Sequence, residues 1–262
     1  MQAKPTVWIT GATGGIGRAL AQAYGAHGCP VVLLGRSAAR LEELASELGG
    51  NVQCLVFDLD DPAGLPSAVQ RGLEVSPGPI VLVNNAGIAI SAPLHRNGDL
   101  IERHLRVNFQ GPVALMQALL PTMLERGGQV VQIASSAGLE GYAYTSAYCA
   151  SKHALLGYSK AAAIELAAKG VGVHMICPHF VDSPMTAASV ARIQETTGKS
   201  AEEARAALAA LNPDKELVPA AQVAQTAVAC LELSHTGTIW ELSGREVHCR
   251  AQGIELTGRN KA

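Results

Sequence analysis

The chain has 262 residues, of which 48% are hydrophobic and 16% are charged, and its formal net charge is −2. This composition excludes an intrinsically disordered chain, because disorder combines low hydrophobicity with high net charge. The near-neutral charge gives no electrostatic basis for binding nucleic acid or an anionic membrane, so neither is an expected partner. The length predicts a single domain over residues 1–262.

Short apolar runs alternate along the chain with longer segments of helical periodicity. Continuous apolar runs are typical of strands buried on both faces, and strict alternation predicts a doubly wound parallel α/β sheet with crossover helices on both faces. About seven strands are predicted, at residues 7–10, 31–34, 52–57, 80–83, 130–133, 171–176 and 238–242. The predicted helices are residues 18–28, 37–48, 65–73, 99–125, 148–169 and 220–233.

The stretch from residue 184 to residue 219 interrupts this alternation. It holds one helix-like piece, residues 200–211, and lies between the sixth strand and the last long helix. In a doubly wound sheet this position is at the carboxyl ends of the strands, where ligands bind. We therefore expect a substrate lid over 184–219, the alternative being a surface excursion.

The six cysteines form no C-x-x-C pair and have no zinc-ligand spacing with a histidine, so reduced thiols and no metal site are expected. The amino-terminal residues lack the basic region and apolar core of a signal peptide, and no apolar run approaches the ~20 residues of a membrane helix. A cytoplasmic location is the resulting expectation.

The first predicted strand is followed by a glycine-rich turn, Thr10-Gly11-Ala12-Thr13-Gly14-Gly15-Ile16-Gly17, which leads into a helix. Such a turn lets backbone N–H groups approach a pyrophosphate, which the helix N-terminus also stabilises. A tight strand–helix connection without a ligand is the alternative. The position between strand and helix favours a dinucleotide site with contacts from Gly11, Thr13, Gly14, Gly15, Ile16 and Gly17.

The end of the second predicted strand bears on the choice of dinucleotide. A carboxylate about 20 residues after the glycine motif binds the ribose 2′-hydroxyl of NAD in many such sheets. The segment Leu34-Gly35-Arg36-Ser37 has no carboxylate there, whereas Arg36 offers a permanent cation suited to a 2′-phosphate. The sequence therefore favours NADP, with NAD as the alternative, unless Arg36 serves only to solvate the helix start.

Tyr148 and Lys152 are one helical turn apart and therefore share a helix face. A phenol with a pKa near 10 is a poor base at neutral pH, and a neighbouring ammonium lowers that pKa. The pair could then exchange a proton with an alcohol or carbonyl oxygen.

Across nearly its whole length, the chain resembles the single-domain branch of the short-chain dehydrogenases/reductases, similar to 3-oxoacyl-[acyl-carrier-protein] reductases and hydroxysteroid dehydrogenases. The resemblance rests on motifs that occur in the family's order. These are residues 10–17, Asp58, Asn84-Asn85-Ala86-Gly87, Val107-Asn108, Ser135, Tyr148 with Lys152, and residues 178–185.

The resemblance implies a role for each matching residue. Tyr148 would be the proton donor or acceptor, Lys152 would lower its pKa and bind the nicotinamide ribose, and Ser135 would hold the substrate oxygen. Ser135 is preferred to Ser136 because it lies thirteen residues before Tyr148. Asn108 would anchor a water in a proton relay. Further cofactor contacts implied are Asp58, Leu59, Asn85, Ala86, Gly87, Pro178, Val181 and Ser183.

Two residues depart from the family pattern. His179 stands where the family usually has glycine, so it is either a tolerated replacement or a contact to substrate or cofactor, and as a substrate contact it would join Ser135 and Tyr148. Gly14 stands where many NADP-dependent members carry a basic residue, which leaves the 2′-phosphate mainly to Arg36.

The resemblance implies an NAD(P)-dependent oxidoreductase that interconverts a secondary alcohol and a ketone. Residues 197–219, with Arg126 and Lys169, resemble members acting on 3-oxoacyl or 3-hydroxyacyl thioesters. A free ketone, alicyclic or steroid-like alcohol is the alternative small-molecule substrate, and a catalytically silent dinucleotide-binding regulator is the alternative of another class. A homodimer or homotetramer is implied, and the apolar circumference of residues 148–169 supports it.

Overall fold

The computed structural model describes residues 4–251 and 253–256. Ten strands form within these residues: β1 (Thr6–Thr10), β2 (Val31–Gly35), β3 (Val52–Val56), β4 (Ile80–Asn84), β5 (Gly128–Ile133), β6 (Val171–Pro178), β7 (His235–Thr236), β8 (Ile239–Ser243), β9 (Glu246–Ala251) and β10 (Ile254–Glu255). Eight of them make one sheet in the order β3-β2-β1-β4-β5-β6-β8-β9, and β7 pairs with β10.

The first seven strands of that order run parallel, and they correspond to the seven strands predicted from the sequence. The doubly wound parallel sheet is therefore confirmed. The prediction missed β9, which pairs antiparallel with β8 and closes that edge of the sheet. Its side chains are mostly exposed, so the apolar pattern that reveals a buried strand is absent there.

Helices cover both faces of the sheet. They are α1 (Gly15–Ala26), α2 (Ala38–Leu48), α3 (Leu65–Glu74), α4 (Gly98–Leu105), α5 (Gly111–Arg126), α6 (Ser146–Ala167), α7 (Pro184–Thr197), α8 (Ala201–Ala209) and α9 (Ala220–Ala229). One core layer packs α1, α2 and α9 against the sheet, and the other packs α3, α5 and α6. In β1, Val7 and Ile9 enter the first layer while Trp8 enters the second, because successive side chains of a strand point to opposite faces.

The helix predicted over 99–125 is confirmed as one continuous helical segment, residues 98–126, but it is not a regular α-helix throughout. A π-helical turn, Arg106–Gln110, separates α4 from α5 and contains the buried Asn108. Such turns occur frequently at functional sites, because they displace one residue from the regular helical spacing. Smaller differences concern helix ends: α1 begins at Gly15 rather than residue 18, and α9 ends at Ala229 in a short 3₁₀ turn.

The stretch 184–219 forms two helices, α7 and α8, that pack on each other. The sequence analysis missed α7, which begins with a Ser183 side-chain cap followed by Pro184. Ser200 and Glu203 form a capping box at the start of α8. After α8 the chain returns to the residues that follow β6, where the backbone N–H of Val218 donates to the carbonyl oxygen of Phe180 (2.9 Å). Whether the two helices act as a lid stays a prediction.

No helix in the described part of the chain is both long and apolar enough to cross a bilayer.

Candidate active site

The glycine-rich loop between β1 and α1 requires residues without a side chain. Gly11 has a φ of +63°, and a Cβ there would lie 2.9 Å from the Cα of Ala86. A Cβ on Gly17 would lie 2.1 Å from the carbonyl oxygen of Gly11. The helix begins at Gly15, and no side chain caps its first amide groups. The loop therefore presents backbone N–H groups at a helix N-terminus, which is the arrangement that binds phosphate.

Side chains of β1 and β4 fix this loop to the neighbouring strand. The Thr10 hydroxyl accepts hydrogen bonds from the backbone N–H groups of Asn85 (2.9 Å) and Ala86 (3.0 Å). The Asn85 side-chain amide donates to the carbonyl oxygens of Thr10 (2.9 Å) and Gly11 (3.2 Å). The predicted dinucleotide contacts from the first and fourth strands therefore lie together. Thr10 had not been predicted as a site residue, although it opens the motif.

Arg36 lies exposed at the carboxyl end of β2. Arg40, in the first turn of α2, donates to the Thr13 carbonyl oxygen at 3.1 Å, so a second guanidinium flanks the loop. A hydrogen bond from Arg106 lowers the pKa of Asp60, with a smaller contribution from the charge of Arg36. Arg36 and Arg40 thus place two guanidinium groups at this end of the site, and such groups are suited to binding an additional phosphate.

Tyr148 and Lys152 lie on α6 with the Lys152 ammonium 5.9 Å from the centre of the Tyr148 ring. That ammonium is buried and donates to the Ile133 carbonyl oxygen (2.9 Å). Burial lowers the pKa of Lys152 to about 8. Burial raises the pKa of Tyr148, and a hydrogen bond with Ser135 offsets part of that rise. Desolvation of the phenolate is thus the largest influence on Tyr148 here, and the expected lowering of its pKa by Lys152 stays a prediction.

Asn108 is held by backbone groups rather than by the catalytic pair. Its Nδ2 donates to Ile88 O (2.9 Å) and to Ser151 Oγ (3.0 Å), and its Oδ1 accepts from Ile88 N (2.8 Å). A Cβ on Gly87 would lie 3.1 Å from Asn108 Oδ1 and 3.8 Å from Lys152 Nζ. Asn108, Gly87 and Lys152 are thus neighbours, while the predicted water anchored by Asn108 stays a prediction.

The sequence analysis assigned His104 no special role, but the structure packs it beside Tyr148. The two rings lie edge to face with their centres 6.2 Å apart. His104 Nδ1 donates to Leu100 O (2.7 Å), and its Nε2 accepts from Ile90 N (3.1 Å). Burial lowers the pKa of His104, in keeping with this neutral tautomer. No motif reveals this histidine, because its partners are backbone groups.

One cleft at the carboxyl ends of the strands contains many of the predicted residues. Those that line it are Ile16, Asn85, Gly87, Ser135, Tyr148, Lys152, Pro178, His179, Val181 and Ser183. The other predicted residues are not among those that line it: Gly11, Thr13, Gly14, Gly15, Gly17, Arg36, Asp58, Leu59, Ala86 and Asn108. Met185, Thr186 and Ser189 of α7 complete its wall.

His179 is buried at the end of β6 and makes two side-chain hydrogen bonds. Its Nε2 donates to Glu241 Oε1 at 2.9 Å, and its Nδ1 lies 3.2 Å from the Tyr142 hydroxyl. Glu241 also accepts from Arg250 of β9. Although burial acts to raise the pKa of Glu241, the hydrogen bonds from Arg250 and His179 hold it below its usual value. Tyr142, Glu241 and Arg250 belong to no motif, so no sequence pattern indicates them.

Among residues 4–251 and 253–256, no group of three or more His, Cys, Asp or Glu side chains is placed to hold a metal ion.

Comparison with known proteins identifies the family. Residues 5–194 match the family model described as short chain dehydrogenase. Dehydrogenase/reductase SDR family member 7B of Mus musculus is 36% identical over 193 residues, which cover 70% of this chain and 60% of that protein. The Bos taurus counterpart is 39% identical over 191 residues, covering 69% and 59%. The chain therefore spans about 60% of the length of these two relatives.

Other relatives are matched over more of their length. Galactitol 2-dehydrogenase of Agrobacterium fabrum is 34% identical over 206 residues, covering 77% of this chain and 80% of that enzyme. The crystal structure of a variant of actinorhodin polyketide ketoreductase with NADPH has a TM-score of 0.87 and 28% identity, covering 93% of this chain and 98% of that one. L-Sorbose reductase from Gluconobacter frateurii shares the fold, with a TM-score of 0.84, 24% identity, and coverage of 92% and 96%. The chain belongs to the short-chain dehydrogenase family.

Proposed function

We propose that this protein is an NADP(H)-dependent oxidoreductase that interconverts a secondary alcohol and a ketone. The observation that carries the proposal is that Ser135, Tyr148 and Lys152 line one cleft, which adjoins the glycine-rich loop. Together these residues offer a serine hydroxyl, a buried phenol and, one helical turn after the phenol, an ammonium. Such a set of groups is suited to exchanging a proton with a carbonyl oxygen.

The residues present fit a dinucleotide. Gly11 and Gly17 have no room for a Cβ, and the first amides of α1 are uncapped, so the loop is shaped for a pyrophosphate. Arg36 would bind the 2′-phosphate, and Lys152 would bind the nicotinamide ribose. Asp58, Leu59, Asn85, Ala86 and Gly87 would surround the adenosine and ribose, and Pro178, Val181 and Ser183 would contact the nicotinamide. When bound, the nicotinamide supplies or accepts the hydride. The NADPH complex of the related ketoreductase supports this cofactor.

In the direction of reduction, Tyr148 donates its hydroxyl proton to the substrate carbonyl oxygen. A tyrosine phenol is protonated at neutral pH, as an acid must be. The Ser135 hydroxyl, which hydrogen-bonds Tyr148, would donate to the same oxygen as negative charge develops on it. Lys152 places a positive charge beside the phenol. Asn108, which donates a hydrogen bond to the Ser151 side chain of α6, would anchor the water through which Tyr148 regains its proton.

We propose a small carbonyl compound as substrate. Arg126 and Lys169, which suggested a carrier-bound thioester, line a separate hollow with Lys4 and Gly170 rather than the cleft. Arg126 donates to Ser76 O (3.2 Å), and Lys169 bonds Glu165 (3.3 Å). Both cations therefore already have partners, so the resemblance at these two positions supports a thioester only weakly.

We also propose that residues 1–262 form one catalytic domain, with 184–219 as its lid, and that the protein is a homodimer or homotetramer. Three α7 residues in the cleft wall support the lid. Exposed apolar side chains on the helices expected at the interface support the assembly: Leu124 of α5 is 44% exposed, and Ile164 of α6 is 67% exposed. A second subunit would cover them. A cytoplasmic location stays a prediction.

The test is an assay of the purified protein with a panel of ketones and thioesters, using NADPH and NADH in parallel. Ketone reduction that is faster with NADPH, and that Tyr148→Phe abolishes without loss of NADPH binding, is expected. A catalytically silent regulator would bind the dinucleotide and turn over no member of the panel.

A further inference from the structure

The end of the cleft beyond the catalytic tyrosine carries a network of side chains that catalysis does not use. Tyr142 and His179 line the cleft, and Glu241 and Arg250 lie behind them. His179 is 7% exposed and Glu241 is 8% exposed, so the pair is buried rather than a surface contact. Burying such groups is costly unless they are hydrogen-bonded, which indicates that the network holds a defined geometry.

The backbone conformation does not explain why a histidine stands at position 179. The only non-glycine residues with positive φ in the described part of the chain are Tyr144 and Lys215. The backbone N–H of His179 donates to Leu242 O at 2.9 Å, a regular contact between β6 and β8. Both ring nitrogens are engaged, by Glu241 and by Tyr142. The imidazole therefore has no free donor or acceptor for a ligand, and its effect on the cleft is exerted through the Tyr142 phenol.

The Tyr142 hydroxyl has more partners than it can satisfy with one proton. Its oxygen lies 2.8 Å from Ser136 Oγ, 2.8 Å from Glu140 Oε1 and 3.2 Å from His179 Nδ1. Glu140 is exposed, so its carboxylate can exchange this contact for water. The ring is fixed edge to face against Phe180, with centres 5.8 Å apart. A ligand could thus replace Glu140 at the phenol while the ring stays in place: a ligand hydroxyl would donate to the phenol oxygen while the phenol donates to His179 Nδ1, and a ligand carbonyl would accept the phenol proton in place of His179.

The charge distribution of the cleft restricts what such a ligand can be. Among the described residues that line it, only Lys152 and His179 can carry a positive charge. Lys152 donates to Ile133 O, and His179 is paired with Glu241. The Glu140 carboxylate beside Tyr142 would repel an anion. Recognition here therefore depends on neutral hydrogen bonds.

We propose that Tyr142 is a substrate-specificity residue that hydrogen-bonds a second oxygen of a neutral ketone, a hydroxyl or carbonyl group within two carbons of the reacting carbonyl, and that His179 and Glu241 are positioning residues that hold the phenol. The proposal rests on the proposed function. An α-hydroxyketone and a 3-oxo ester share this chemistry, and the experiment distinguishes them.

The experiment measures kcat/KM at saturating NADPH for two matched pairs of ketones. The first pair is 3-hydroxy-2-butanone and 3-methyl-2-butanone, and the second is ethyl acetoacetate and 2-octanone. We expect the wild type to prefer the oxygenated member of at least one pair about tenfold, the size of one neutral hydrogen bond. Tyr142→Phe should remove that preference by lowering kcat/KM for the oxygenated ketone more than for the plain ketone.

Tyr144→Phe is the matched control, because Tyr144 is 68% exposed and does not line the cleft. It should leave the preference intact. Equal losses on both members of a pair, or a wild type without preference in either pair, would overturn the inference while the proposed function stands. Turnover of none of the four ketones would count against both. Retention of activity in Tyr148→Phe would refute the catalytic proposal separately.

The positioning role is tested by two replacements of His179. His179→Leu removes both ring nitrogens and should lose the oxygen preference, with kcat/KM falling more for the oxygenated ketone than for the plain one. His179→Asn places an amide near the position of Nδ1 and should restore part of the preference through a lower KM for the oxygenated ketone. A merely structural role would lower activity on both ketones alike and would show no rescue by asparagine, which would overturn the assignment.

Discussion

The glycine-rich loop and the His179 network lie at the same edge of the sheet but are held in place by different means. The loop is made by consecutive residues between β1 and α1, and its shape depends on backbone groups and on the absence of side chains at Gly11 and Gly17. The network joins side chains far apart in the chain, since His179 and Glu241 are 62 residues apart. A local motif thus encodes the end that we propose binds the dinucleotide, whereas only the folded sheet assembles the end that we propose faces the substrate.

The turn is the kind of feature that members of one fold share, whereas the side-chain network is the kind of feature that distinguishes them. The phosphate groups of a dinucleotide are the same in every complex, so a fixed backbone turn suffices to bind them. Substrates differ, and side chains from β6, β8, β9 and the loop before α6 can change without disturbing the turn. Substitutions at the two ends should therefore change different measured quantities.

The largest expected effect lies between the two ends. Tyr148→Phe removes the transferable proton without emptying the dinucleotide cleft, so kcat should fall about 10²- to 10⁴-fold. The dissociation constant for NADPH, measured by fluorescence titration, should change little. If kcat stays near that of the wild type, Tyr148 is not the acid.

The next prediction tests the loop end through charge. Arg36→Ala should weaken NADPH binding about 10- to 150-fold, because a charge-assisted hydrogen bond contributes about 1.5–3 kcal/mol. NADH, which lacks the 2′-phosphate, should bind as before. Arg40→Ala is the control for loss of a guanidinium near the loop, because the Arg40 guanidinium already donates to Thr13 O (3.1 Å). Equal losses of NADPH and NADH in Arg36→Ala would show that Arg36 does not discriminate between them.

A matched pair of glycines tests whether the loop end depends on the missing side chain. Gly17→Ala puts a Cβ 2.1 Å from Gly11 O, and overpacking of this kind costs about 1–3 kcal/mol of unfolding free energy. Gly25→Ala, in the same helix, meets nothing within 4 Å and should stabilise the protein by about 0.4–1 kcal/mol. Urea unfolding of both variants decides the matter. Destabilisation of similar size in both would show that the effect is not specific to the loop.

Much of the fold could be predicted from the sequence, because buried parallel strands appear as apolar runs that longer helical segments separate. The π-helical turn at Asn108 could not, since it depends on hydrogen bonds to Ile88 in another segment. The proposed catalytic residues rest on spacing and on the family resemblance, and the structure brings Ser135, Tyr148 and Lys152 to one cleft. Tyr142 and Glu241 could not be found in this way, because their roles come from neighbours that the fold brings together.

The smallest predicted effect is a pH dependence of reduction that arises from Lys152. Because burial lowers the pKa of this lysine to about 8, the ammonium is present below that pH and is lost above it. If the charge beside Tyr148 is needed, kcat should be constant below pH 8 and should fall about tenfold for each unit above it. Lys152→Arg, whose guanidinium stays charged, should move the fall in kcat to higher pH. If the fall stays near pH 8 in this variant, a group other than Lys152 causes it.

The free energy of unfolding should respond to pH in the opposite direction. The unfolded chain binds more protons than the folded one between pH 8 and the ordinary lysine pKa, so the contribution of Lys152 to the free energy of unfolding should rise over that interval. Opposite trends in kcat and in unfolding free energy, both absent in Lys152→Met, would trace the two effects to this one buried amine.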